Sequence, residues 1–144
     1  MNDFRTRAAQ LDEHLVTWRR DFHSHPEIAF QEQRTAGKAA DELRALGLEV
    51  QTEVGRTGVV AILEGAHDGP TVLVRCDMDA LPMTEENTVP YASTDPAAMH
   101  ACGHDGHTAI GLALAHILTD LRDNIHGRVK FVFQPAEATA EGAR

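Results

Sequence analysis

The stretch PTVLVRCDM, residues 70–78, decides the fold class of this chain. It is almost continuously apolar and β-branched, which is typical of a central strand that is covered on both faces of a sheet. GVVAILEG, residues 58–65, has the same character. We therefore predict two central strands here, a further strand LEVQTEV at 48–54, and a turn GAHDGP at 65–70.

Helical patterns surround these strands in the sequence. Apolar residues recur at steps of three and four over residues 3–23 and over 32–46, which predicts two amphipathic helices. A third helix is predicted to begin near residue 105 or 108, and a strand GRVKFVFQ follows at 127–134. This order predicts an α/β sandwich with a mixed, mostly parallel sheet flanked by helices. We expect the sheet to be incomplete at the C-terminus, because the last strand lies close to the end of the chain.

Composition and charge narrow the class of protein. The formal net charge is −9, which argues against nucleic acids and anionic membranes as partners. No apolar run approaches the roughly 20 residues of a membrane-spanning helix, and the N-terminus lacks the apolar core of a signal peptide. We therefore expect a cytoplasmic protein. Of the two cysteines, Cys76 lies in the apolar run and is predicted to be buried, whereas Cys102 lies in a histidine-rich loop.

That loop, MHACGHDGH at 99–107, is the first candidate site. Thiolate and imidazole groups are good ligands for zinc and similar ions. Cys102 and His104 lie two positions apart, so in an extended segment their side chains point the same way. A metal site is one interpretation. The alternative is a polar entry into the next helix, with Asp105 as its cap and the histidines solvated.

Carboxylates follow two of the predicted strands. Asp77 and Asp79 lie at the end of the 70–78 strand, and Glu137 follows the 127–134 strand. Ligands of α/β sheets gather at the carboxyl ends of strands, and a glutamate beside a metal ion can act as a general base. Solvated side chains in strand-end turns are the alternative for each residue. The coincidence of several such ends favours one shared site.

Four motifs in order carry a resemblance to a known family: WRRDFHSHPEIAFQE, RCDMDALPMTEE, MHACGHDGHTA and FQPAE. They resemble the N-terminal part of the M20 metallopeptidase family. More narrowly, they resemble its amidohydrolase branch, which includes hippurate hydrolases, N-acyl-amino-acid amidohydrolases and auxin-conjugate hydrolases. The match runs through nearly the whole chain. Residues 1–144 are therefore expected to form the N-terminal part of the catalytic domain of a metal-dependent hydrolase.

The resemblance implies hydrolysis of the amide bond of an N-acyl amino acid or a similar small conjugate. It also implies two divalent ions, drawn from zinc, manganese, nickel and cobalt. Cys102 and His104 match metal ligands of the family. Asp79 matches the aspartate that orients the ligands, and Glu137 matches the glutamate that activates water.

The remaining polar residues of the motifs are assigned supporting roles in the loops. These residues are Asp77, Asp105 and His107, and His107 is expected to be buried rather than to bind metal. Family members also contain a lid domain that mediates homodimer formation, which we expect to be absent from this chain. The sequence identifies no substrate-binding residue.

Two departures from the family pattern lead to a competing hypothesis. The family has a second, metal-binding glutamate directly after the base, as in QPAEE, whereas this chain has Ala138, and Glu141 follows three residues later. Family members also continue well beyond this length and supply two further histidine ligands. The first hypothesis is therefore an amidohydrolase domain that is complete only with those parts. The second is a truncated, non-catalytic remnant with at most weak metal binding.

Overall fold

The computed structural model describes residues 4–143. Within them the helices are α1 (Phe4–Gln10), α2 (Asp12–Ser24), α3 (Gln33–Ala45) and α4 (His104–Asp120). The strands are β1 (Glu49–Val54), β2 (Gly58–Glu64), β3 (His67–Asp77) and β4 (His126–Gln134), and a short 3-10 helix covers Arg122–Asn124. None of the helices in the described part of the chain has the length and apolar character needed to cross a membrane.

The strands form one mixed sheet in the order β1-β2-β4-β3. β1 with β2 and β2 with β4 are antiparallel, whereas β3 and β4 are parallel. The predicted α/β sandwich with a mixed sheet is confirmed. The expectation of a mostly parallel sheet is wrong for residues 4–143, because the short β1–β2 connection permits only an antiparallel pair. The crossover through α4 does give a parallel pair, since it is long enough to return the chain.

Helices α3 and α4 pack against each other and cover one face of the sheet. α4 approaches so closely that a side chain at Gly111 would overlap Cys76 Sγ and the Phe133 ring. The opposite face is only partly shielded, and Leu73 on it is 60% exposed. Strands covered on both faces, as predicted, are therefore not found in the described residues. The buried face contains Val59, Ala61, Leu63, Val129, Phe131 and Phe133.

The helix predicted over 3–23 is interrupted at Leu11. The backbone there has φ −96° and ψ 1°, which is outside helical geometry. Asp12 and Glu13 then occupy the first turn of α2, where acidic side chains interact favourably with the helix dipole. The periodicity of the apolar residues continues through the break, so it could not reveal two helices.

The turn predicted at 65–70 is shorter than expected, because β3 already begins at His67. β3 and β4 approach each other closely where Gly127 of β4 lies against Pro70 of β3. A side chain at Gly127 would overlap the Pro70 carbonyl oxygen, and its φ of +90° also favours glycine. The glycine therefore allows β3 to extend beside β4 into the segment that was predicted as a turn.

The connection from β3 to α4 contains no helix or strand, as predicted for residues 79–98. It is nevertheless tied to the rest of the fold. Leu81 and Met99 exchange two backbone hydrogen bonds of 3.0 Å, and the Ala80 N–H donates to the Glu27 carbonyl at 2.8 Å. These bonds fix the connection directly after Asp79, which is where the candidate site begins.

Candidate metal and catalytic site

The ends of β3 and β4 meet the start of α4 at one edge of the sheet. Asp77 pairs with Gln134 at the last register position of the two parallel strands. The Thr108 hydroxyl donates to the Asp77 carbonyl at 3.0 Å and so joins α4 to the end of β3. This junction brings together the side chains of Asp77, Asp79, His104, His107 and Glu137.

His104 lies at the centre of the group and its side chain is only 2% exposed. Its Nδ1 is 2.8 Å from the Asp79 carbonyl oxygen and 3.2 Å from Asp79 Oδ1. Because a carbonyl oxygen only accepts, Nδ1 is the donor here, and in the neutral ring this leaves the lone pair on Nε2. Nε2 faces the carboxylates of Asp77 at 3.7 Å and Glu137 at 3.6 Å. A histidine held in this way is oriented as a metal ligand.

Asp77 connects His104 to two neighbouring groups. His107 Nδ1 donates to Asp77 Oδ1 at 2.6 Å, and Arg75 Nη1 lies 3.2 Å from Asp77 Oδ2. One ligand atom from each of Asp77, His104 and His107 lies within 4.8 Å of the others. Carboxylate oxygen and imidazole nitrogen are both ligands of first-row divalent ions. This triad could therefore hold a metal ion.

The Asp79 carboxylate also holds the segment after β4. Its Oδ1 accepts the Glu137 N–H at 3.0 Å, and its Oδ2 accepts the Ala138 N–H at 2.9 Å. The Asp79 side chain is fully buried, so these charge-assisted bonds are shielded from water. One aspartate therefore orients both the central histidine and the backbone of Glu137.

Comparison with known proteins assigns the family. A family model described as peptidase family M20/M25/M40 matches residues 73–144, half of the chain, including all the residues of this group. The chain belongs to this family. The M20 resemblance of the four motifs is thereby confirmed.

Several relatives within the family are similar over nearly all of this chain. The N-acyl-L-amino acid amidohydrolase of Geobacillus stearothermophilus is 47% identical over 128 residues, covering 89% of this chain and 35% of the relative. The N-acetylcysteine deacetylase of Bacillus subtilis (strain 168) is 44% identical over 131 residues, covering 90% and 34%. The crystal structure of Bacillus subtilis YXEP, named a dinuclear metal binding peptidase from the M20 family, superposes with a TM-score of 0.90 at 42% identity, covering 94% of this chain and 38% of that one. The M20 chain thus spans about a third of the length of these relatives.

Cys102 is the predicted metal ligand that the structure does not bring into the triad. Its side chain is exposed, whereas His104 is buried. Gly103 between them has φ +84°, a left-handed turn that breaks the alternation of an extended segment. The argument from an extended segment therefore does not apply to this turn, and the metal role of Cys102 stays a prediction.

Two supporting roles also differ from the prediction. Asp105 does not cap α4, because Gly103 occupies the cap position and the Asp105 carboxylate turns towards α2. His107 was expected to be buried, but its side chain is 56% exposed. It lies one helical turn after Gly103 on the outer side of the site, where its contact with Asp77 is open to solvent.

The sequence did not single out Arg75 or Glu32. Arg75 Nη2 lies 3.8 Å from Glu137 Oε1, so this guanidinium reaches both carboxylates of the strand ends. Arg75 stands inside a quoted motif, and its position two residues before Asp77 on one face of β3 could have revealed it. Glu32 is completely buried and accepts the N–H of Ala136, 104 positions away, so no local pattern signals this contact.

A second buried polar cluster lies beside the site, between α2 and the start of α4. His23 Nδ1 lies 2.7 Å from Asp105 Oδ2, and its Nε2 lies 3.1 Å from Glu85 Oε1. Arg19 Nε lies 2.8 Å from the same Asp105 oxygen. Near this cluster, burial lowers the pKa of His100 to about 4, so that ring is neutral. His23 is therefore the centre of this buried cluster.

Glu85 makes the stability contributed by this cluster depend on pH. Burial would raise the pKa of its carboxyl, but bonds from the Ser93 N–H, the Asn87 amide and His23 lower it to about 2. A carboxyl with a lower pKa in the folded state stabilises that state above its ordinary pKa. This stabilisation is lost as the pH falls from about 4.5 towards about 2.

We therefore expect the wild-type chain to lose more free energy of unfolding than Glu85→Gln between about pH 5 and about pH 3, because only the wild type must protonate this carboxyl. Denaturant unfolding at the two pH values measures the difference. Glu86→Gln, at the adjacent exposed position, is the control and should follow the wild type. An equal loss of unfolding free energy in the wild type and in Glu85→Gln would contradict the prediction.

The buried cysteine behaves as expected from the sequence. Cys76 packs under α4, and burial together with the charge of Asp77 raises the pKa of its thiol to about 11. A thiol with this pKa is protonated at neutral pH and is a poor nucleophile. Cys102, which is exposed, is therefore the cysteine of the M20 chain that solvent and metal ions can reach.

Proposed function

We propose that this chain supplies part of the active site of a metal-dependent amidohydrolase, which cleaves the amide bond of N-acyl amino acids or similar small conjugates. The observation that carries the proposal is the setting of His104, whose Nε2 faces the carboxylates of Asp77 and Glu137. The relatives support the substrate class, since they are named as an N-acyl-L-amino acid amidohydrolase and an N-acetylcysteine deacetylase.

The donor set fits a divalent ion. His104 is the first proposed ligand, and Cys102 is the ligand that the family resemblance implies. Asp77 and His107 are the nearest further donors. When bound, the ion supplies a Lewis acid that polarises the amide carbonyl and makes water easier to deprotonate. Zinc, manganese, nickel and cobalt all suit these ligand types. The second ion, the homodimer and the cytoplasmic location stay predictions.

Residues of the chain would orient the ligand histidine and transfer the protons. Asp79 holds His104 with its proton on Nδ1, which leaves Nε2 for the ion. Glu137, whose side chain is 39% exposed, is positioned to take a proton from the attacking water. The same carboxyl would then deliver that proton to the departing amine. The products would be a carboxylic acid and a free amino acid.

Ala138 favours a second candidate, a metal-binding remnant without turnover. The resemblance places a metal-binding glutamate at this position, and alanine has no donor side chain. The Ala138 backbone is still held by Asp79, so the loop keeps its anchor but lacks the ligand. On this hypothesis the chain binds zinc or manganese weakly and does not hydrolyse its substrate.

One experiment separates the two candidates. Residues of this chain replace the matching segment of the Geobacillus stearothermophilus amidohydrolase, to which it is 47% identical over 128 residues. The chimera is tested with Ala138, with Ala138→Glu, and with Ala138→Glu combined with Glu137→Ala. Release of amino acid from N-acyl amino acids is measured after loading with Zn²⁺ or Mn²⁺. The 144-residue chain alone is assayed in parallel.

We expect Ala138→Glu to give metal-dependent hydrolysis, and the added Glu137→Ala change to lower kcat by about 10²–10⁴-fold, the usual contribution of a general base. We expect no detectable turnover from the chain alone. Full activity without Glu137 would overturn its role as the base. Metal-dependent hydrolysis by the Ala138 chimera at the same rate as with glutamate there would exclude the remnant hypothesis.

A further inference from the structure

We propose that Glu32 is a positioning residue for Glu137, acting through the backbone of the loop that follows β4. The inference rests on the proposed function, because that function assigns Glu137 as the base. Glu32 lies directly before α3, far from the strand ends in sequence, and neither the motifs nor the relatives' names give it a role.

The Glu32 carboxylate is buried and fully engaged. The residue is 0% exposed, its Oε1 accepts the Ala136 N–H at 2.9 Å, and its Oε2 accepts the Thr57 hydroxyl at 2.5 Å. Both partners are neutral groups. An Ala136 N–H left without an acceptor in this buried position would be costly.

Together, Glu32 and Asp79 hold three consecutive N–H groups. Ala136 donates to Glu32, and the next two residues, Glu137 and Ala138, donate to the two oxygens of Asp79. The two carboxylates belong to different parts of the sequence, since Glu32 lies before α3 and Asp79 lies after β3. The start of the loop is thus fixed at every backbone donor around the proposed base.

The conformation at Ala136 shows why a tether is needed there. Its φ is +51°, in the left-handed region that alanine disfavours. Such a conformation persists only where the surrounding structure holds it. The bond from the Ala136 N–H to Glu32 is one such restraint. It acts at the residue where the chain leaves β4 and turns Glu137 towards His104.

The side chain of Glu137 has weaker restraints of its own. It is 39% exposed, and its charged neighbours, His104 Nε2 and Arg75 Nη2, lie 3.6 Å and 3.8 Å away. Its position therefore follows from its backbone. A displacement of about 1 Å at a reacting group can cost on the order of 100-fold in rate, so the tether bears directly on the chemistry.

The test uses three variants of the chain. Glu32→Leu removes the acceptor, whereas Glu32→Gln keeps an amide oxygen that can still accept the Ala136 N–H. Glu27→Leu is the matched control, because the Glu27 carboxylate accepts the N–H groups of Arg34 and Thr35 at 2.9 and 2.7 Å. That change weakens the same end of α3 without touching the loop.

NMR provides two measurements that do not depend on turnover. They are the hydrogen-exchange rates of the amides at 136–138 and the ¹³C resonance of the Glu137 side-chain carboxyl. In Glu32→Leu we expect exchange at Glu137 and Ala138 to be at least about tenfold faster than in Glu27→Leu. We also expect the Glu137 carboxyl resonance to shift in Glu32→Leu, and Glu32→Gln to restore both readouts.

The outcomes are distinct. Equal exchange and unchanged Glu137 resonances in Glu32→Leu and Glu27→Leu would show that Glu32 only stabilises the start of α3, which overturns the proposal. The proposal is also overturned if Glu32→Gln fails to restore the amide exchange rates and the Glu137 carboxyl resonance. A failure of the proposed function would instead appear in the chimera, as activity that survives Glu137→Ala while the tether remains intact.

Discussion

Replacing Asp79 with alanine is expected to destabilise the folded chain by about 3 kcal/mol, because two backbone donors lose a buried carboxylate acceptor. Those donors are the N–H groups of Glu137 and Ala138. Asp79 itself is 1% exposed, so water cannot readily take its place. Denaturant unfolding of the metal-free chain at neutral pH measures the loss.

The same substitution should also weaken metal binding, by about tenfold, at the lower end of what loss of a ligand-orienting partner costs. The reason for the small value is that the Asp79 carbonyl, which accepts from His104 Nδ1 at 2.8 Å, remains in place. Titration calorimetry with Zn²⁺ measures the change. Asp79→Asn should be milder in both respects, because its amide oxygen replaces one of the two acceptors.

Asp41→Ala makes the same chemical change at a position whose side chain is 81% exposed, and it should leave both properties unchanged. If Asp79→Ala were as stable as Asp41→Ala, the tether to Glu137 and Ala138 would contribute nothing to folding.

Replacing His104 with alanine is expected to abolish stoichiometric metal binding. The loss in affinity should exceed the roughly 100-fold effect of removing an orienting partner, since a ligand itself is gone. Metal analysis after dialysis and calorimetry with Zn²⁺ and Mn²⁺ measure it. His126→Ala, an exposed histidine at the opposite end of β4, is the control and should bind as the wild type does.

Three companion variants identify the other ligands. Cys102→Ala is expected to abolish stoichiometric binding as well, as the family resemblance implies. His107→Ala and Asp77→Asn test the other two members of the triad, whose ligand atoms lie within 4.8 Å of each other and of the His104 ligand atom. If Cys102→Ala kept its bound metal and His107→Ala lost it, the ligands would be those of the triad, and Cys102 would be excluded as a ligand.

Sequence alone could place most of the secondary structure near the site. The apolar, β-branched runs of β2 and β3 and the alternation in β4 depend on local side-chain chemistry, which a sequence displays directly. The rule that ligands gather at strand ends then placed Asp77, Asp79 and Glu137 at one edge, and the structure brings these three residues together around His104.

Side-chain partners were harder to predict, because they depend on contacts between distant segments. Asp105 looked like a helix cap from its neighbours, yet it pairs with His23, 82 positions away. The backbone turn between Cys102 and His104 depends on the positive φ of Gly103, and glycine adopts either sign freely. Pairings and glycine dihedrals of this kind are decided by the packed fold, and no local pattern contains them.

The strand order has a consequence for how the molecule forms. Among the strands of residues 4–143, β4 comes after the other three in sequence, but it lies between β2 and β3 and pairs with both. Until residues 126–134 have been synthesised, only the β1–β2 hairpin can pair, and β3 has no neighbour. Because these pairings join distant segments, forming them carries a loop-closure entropy cost, and we expect this step to be slow. These four strands and the edge that holds Asp77 and Glu137 are therefore expected to assemble together, once β4 has emerged from the ribosome.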